Sequence, residues 1–98
     1  MNEVKNKAQL LVDFYEEGGM TALELTSALI SAAPELGAHR ILETAPPAIY
    51  RMIAESVAHP PNSPDDVFVL GGENTNEREI QEEHYRGSIL LHQAIHGA

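Results

Sequence analysis

The sequence predicts an all-α protein: a compact antiparallel bundle of four helices, five if residues 38–44 are helical, with one long connection before the last helix. Apolar residues recur at three- and four-residue steps in four separate segments, the period of a helix that rests one face on a core. Paired breakers (Gly18-Gly19, Pro46-Pro47, Pro60-Pro61 and Gly71-Gly72) fall between those segments. Ninety-eight residues suit one small domain, 1–98, and leave no room for a second.

The first helix is expected over about 3–17. Val4, Ala8, Leu11 and Tyr15 form its inner line with Phe14 beside them, while Lys5, Gln9, Asp13 and Glu16 take the far side. Gly18-Gly19 ends it, because glycine readily takes the left-handed conformation that stops a helix. Thr21 and Glu24 then have the spacing of a capping box, each side chain bonding the other's backbone N–H, and open a second helix over 21–33. Ala22, Leu25, Leu29 and Ala33 align, flanked by Leu23, Ile30 and Ala32; Glu24, Ser27 and Ser31 leave only a narrow polar strip. A helix with so little polar surface belongs at the centre of the bundle. Pro34-Glu35-Leu36-Gly37 breaks it, and residues 38–44 form a short helix or turn.

Pro46-Pro47 opens the third clear helix, over 47–58, since proline is tolerated in a first turn where its missing N–H has no partner to lose. Ile49, Met52, Ile53 and Val57 form its inner stripe, and Pro60-Pro61 ends it. The last helix covers about 75–96, with Asn74 or Thr75 as cap and Gly97 just past its end. Its stripe is Ile80, His84, Gly87, Leu91 and Ile95. Gly87 within that stripe either lets another backbone approach closely or marks a kink.

Residues 59–74 form an irregular connection, long for a small bundle. Ser63-Pro64-Asp65-Asp66 reads as a helix start, and Val67-Phe68-Val69-Leu70 has the makeup of a strand. Phe68 and Leu70 either plug one end of the bundle or, with Val67, offer an apolar edge to a partner. Val67, Phe68 and Leu70 are therefore the candidate partner-binding residues.

No assembled chemistry appears in the sequence. With no cysteine there is no disulfide, thiolate nucleophile or thiolate metal site. His92 and His96 stand four apart, the spacing of two ligands on adjacent turns, but Gln93 follows the first where a metalloprotease carries glutamate, and no spacing selects a third ligand. They read as a solvated pair at a helix C-terminus, where positive charge is welcome. His84 falls within an apolar stripe, so it needs a hydrogen-bond partner, and burial lowers its pKa. It is a core histidine, or else a base in a pocket. Gly71-Gly72 lacks the Walker spacing and lysine, and none of the serines stands in a nucleophile elbow. Gly18 to Leu25 resembles the start of the recognition helix in acyl and peptidyl carrier proteins. Met20 and Thr21 stand where that family has the Asp-Ser-Leu motif whose serine holds phosphopantetheine, so the resemblance implies no carrier function here. No catalytic residue, cofactor or metal is assigned.

Fifteen acidic and six basic residues give a net charge of -9, which argues against nucleic acid as a partner because a phosphate backbone needs a basic face. No leader-like or membrane-length apolar run occurs, so a soluble cytoplasmic protein without a membrane partner is expected. The expectation is a small acidic, non-catalytic protein–protein interaction module, of the adaptor, inhibitor or immunity-like kind, that binds a basic partner or itself. The alternative is a ligand- or metal-binding helical protein, or a small enzyme, using His84 or the His92/His96 pair.

Overall fold

Helix termini in this chain are set by side chains that compete for exposed backbone groups, and the computed structural model describes them for residues 6–67 and 77–97. Five α-helices occur among these residues: α1 (Lys7–Glu16), α2 (Ala22–Leu36), α3 (Ala38–Thr44), α4 (Pro47–Ser56) and α5 (Glu77–His96), with a 3-10 turn at Pro64–Asp66. No strand is present among them. The all-α expectation holds, with residues 38–44 supplying the fifth helix.

α1 begins later than the expected residue 3. Asn6 is extended and its side chain accepts a hydrogen bond from the Gln9 N–H, so it caps the helix at Lys7. At the other end Gly18 takes φ +87°, its N–H bonds the Tyr15 carbonyl, and the Gly19 N–H bonds that of Phe14. This is a Schellman closure, with the left-handed position filled by the residue that tolerates it best. Ala8 and Val12 carry the buried line of α1, Val12 in addition to the expected stripe, and Val4 lies outside the described residues.

α2 opens as predicted. The Glu24 N–H donates to Thr21 Oγ1 at 3.1 Å, and the Thr21 N–H donates to Glu24 Oε1 at 2.8 Å. The helix ends within the expected break at 34–37 but three residues later than the expected bound of 33, because Pro34 itself does not stop it. α2 runs through Pro34 to Leu36 and stops at Gly37, where φ is +100°. The proline forfeits only its own bond to the Ile30 carbonyl, and α5 packs against that point. α4 also stops earlier than expected, at Ser56, with the Val57 N–H closing onto Ile53. Pro60-Pro61 follows the end rather than causing it. The expected caps of α5, Asn74 and Thr75, lie outside the described residues.

α2 is the central helix: it packs against α1, α3, α4 and α5. Leu25, Leu29, Ile30 and Ala33 of α2 meet Ile41, Ile49, Ile53, Val57 and Leu91 in one buried cluster. Each fully buried leucine or isoleucine contributes roughly 1.5–3 kcal/mol by leaving water. Among the described residues the two buried polar side chains satisfy themselves on their own helices, Thr26 through the Ala22 carbonyl and Ser88 through that of His84.

One face of α5 ties down the connection after α4. Arg78 pairs with Asp65, Gln81 Nε2 donates to the Val67 carbonyl at 3.2 Å, and the Tyr85 hydroxyl reaches the Asn62 carbonyl at 3.5 Å. Positions 78, 81 and 85 are three and four residues apart, so a single helical edge holds residues 62–67 in place.

Candidate functional site

Val67 is buried, 7% exposed, and its carbonyl is engaged by Gln81. It anchors the connection, and its side chain is not part of an exposed edge. Phe68 and Leu70 lie outside the described residues.

His84 is half-buried between α5 and α2. Its Nδ1 lies 3.0 Å from Ser31 Oγ, a bond between residues that the sequence places 53 positions apart. Burial lowers the imidazole pKa from its ordinary value, so the ring is neutral at pH 7. The serine hydroxyl can donate to Nδ1 or accept from it, depending on the tautomer. His84 also borders a cleft of about 360 Å³, whose other walls are the 59–62 turn, Asp66 and Val67. A neutral imidazole lining a cleft can accept or donate one proton there. The Ser31 hydroxyl has the spacing of a nucleophile–base pair with this ring, but among the described residues no carboxylate is hydrogen-bonded to the imidazole to orient it as a catalytic base.

The rings of His92 and His96 meet at a tilt of 44° with centroids 4.7 Å apart. They are not simply a solvated pair. His92 Nδ1 lies 2.8 Å from the Val57 carbonyl, so it donates there and ties α5 to the C-terminus of α4. That bond leaves only its other nitrogen for a ligand. Among the described residues no group of three or more histidines and carboxylates is placed to hold a metal ion.

A different feature stands out on α2. α1 and α5 both pack on this helix, and a cleft of about 400 Å³ remains between them. Ser27, Ala28, Ser31 and Ala32 form its floor, Leu11 and Ile80 its two apolar walls. Among the described residues Glu24, Glu35 and Glu83 stand around it with one cation, Lys7, which pairs with Glu35 at 3.5 Å. Sequence reasoning marked Glu24, Ser27 and Ser31 as a polar strip without treating it as a site. The signal was present in that strip, but the gap above it depends on where α1 and α5 settle.

The exterior also carries large apolar side chains. Leu10 and Phe14, one turn apart on α1, are 54% and 49% exposed, and Leu23 at the start of α2 is 54% exposed. No described helix is long and apolar enough to cross a membrane. No protein-family model, curated protein or solved structure matches this chain.

Proposed function

We propose that this chain is a small acidic, non-catalytic interaction module that docks onto a basic protein partner. The observation that carries this reading is the exterior: every glutamate whose side chain is described is exposed, on a chain of fifteen acids and six basic residues. A field of that sign accelerates encounter with a basic surface and rejects acidic ones. Adaptors, inhibitors and immunity-like proteins work in this way. The reading puts the chain in the cytoplasm, with neither nucleic acid nor membrane as partner. Leu10, Phe14 and Leu23 supply apolar area that association with a second copy would cover.

Affinity capture from host extract at several salt concentrations tests the reading. Retained proteins should be basic and should be released as salt rises. Acidic captives, or captives indifferent to salt, would overturn it. Sedimentation over a concentration series tests self-association, and a monomer throughout would remove that part.

A second reading is a small-ligand protein, favoured by the cleft that reaches His84. It predicts that a metabolite or metal moves the His84 ring resonances as they titrate between about pH 5 and 8. Resonances unmoved by every candidate would end it.

A further inference from the structure

We infer that the face of α2 left open between α1 and α5 is the docking groove, and that its occupant is a lysine- or arginine-bearing segment of the protein partner. The inference rests on the acidic-module reading above and names its surface.

The geometry starts from the central helix. Leu25, Leu29, Ile30 and Ala33 bury the other sides of α2 beneath its neighbours. On the open face every floor side chain is a serine or an alanine. An incoming backbone can therefore approach α2 as closely as a packed helix does. Leu11 on one wall and Ile80 on the other give an alkyl stem an apolar lining.

Charge selects the occupant. Among the described residues three carboxylates face one ammonium at this cleft, a local excess of two negative charges. Glu24 and Glu35 are eleven residues apart on one helix, which is about 16 Å at the rise of an α-helix. A partner segment with basic residues separated by that distance meets a carboxylate at each end: about eleven positions if helical, about five if extended. Glu83 adds a carboxylate from α5.

Lys7 already shows how a cation sits here. Its pair with Glu35 has both side chains more than half exposed, and such pairs hold weakly. An incoming guanidinium or ammonium can displace it. A second copy of the chain is the poorer occupant, because it brings fifteen acids with its six cations.

Panning a random dodecapeptide phage library on the intact chain tests the inference. Recovered peptides are then measured by fluorescence anisotropy against the wild type, Ala28→Trp and the double variant Glu35→Lys/Glu83→Lys. Recovered peptides should carry two or more basic residues, and both variants should weaken them at least tenfold while retaining a helical circular-dichroism spectrum. If Ala28→Trp does not fold, the exposed charge reversals decide alone. Basic peptides that bind all variants equally would overturn the groove and leave the acidic-module reading intact. Recovery of uncharged or acidic peptides, or no enrichment, would overturn both.

Discussion

The backbone of Gly87 in α5 lies directly against the carbonyl of Ile30 in α2. A Cβ placed on Gly87 would overlap the Ile30 oxygen and come within 2.9 Å of its carbonyl carbon. The same Cβ would stand 3.3 Å from Cδ of Pro34, the residue whose missing N–H leaves the Ile30 carbonyl without its helical donor. One sequence peculiarity thus answers another: proline opens a place on α2, and glycine lets α5 settle into it, where a Cα–H can face the carbonyl.

Gly87→Ala should therefore destabilise the fold, although alanine is the better helix former by up to about 1 kcal/mol. The obstacle is backbone, which cannot rotate away, so α2 and α5 must separate. A net loss of about 2–3 kcal/mol is expected from overpacking of this kind, read as a lower urea midpoint at unchanged m-value. An unchanged or raised midpoint would show that the two helices do not cross at this point.

His84 gives the stability a pH dependence of defined sign. Burial lowers its folded pKa, so the unfolded chain takes up the proton first as pH falls through about 6.5. The contribution of the neutral, Ser31-bonded ring is complete above that pH and is lost progressively below it. Urea midpoints of the wild type and His84→Gln, compared from pH 8 to pH 5, should converge on acidification. A constant gap would contradict the buried, neutral imidazole.

The capping box of α2 should be worth about 1 kcal/mol. Thr21→Ala removes the acceptor for the Glu24 N–H at an exposed helix start, where water replaces it only in part. A fall in Tm of about 4–8 °C is expected for a domain of this size, by calorimetry. No fall would mean the cap is not formed.

His92→Phe keeps a ring of similar bulk and deletes the donor to the Val57 carbonyl, which stands at the end of α4. A loss of about 1 kcal/mol is expected, with His96→Phe costing less than half as much. Equal losses from the two variants would place the effect in the ring contact and not in the hydrogen bond.

Local chemistry made most of the fold legible. Thr21 and Glu24 cap α2 because their spacing suffices, whatever packs nearby. Gly18-Gly19 closes α1 for the same reason, and the 3.6-residue period located Ile49, Ile53 and Val57 in the core. Pro34 was misleading because a proline inside a helix is tolerated when a neighbour suits the carbonyl it frees, and that neighbour is 53 residues away. The Ser31–His84 bond and the groove on α2 share this character. Their residues stand out in the sequence, as a histidine in an apolar stripe and serines on an apolar helix, but the relationship between them exists only once α5 is placed. Asn6, by contrast, caps α1 through a purely local bond to Gln9, inside the span where the period alone predicts helix from residue 3.

Stopped-flow association with the captured partner across ionic strength measures directly whether opposite charge drives this chain onto it. The rate constant should fall steeply, at least tenfold, between about 0.02 and 0.5 M salt as the Debye length shrinks from roughly 20 Å to a few ångströms, and Glu35→Lys/Glu83→Lys should already be slow at the low-salt end. A rate indifferent to salt and to those two charges would contradict charge-driven docking.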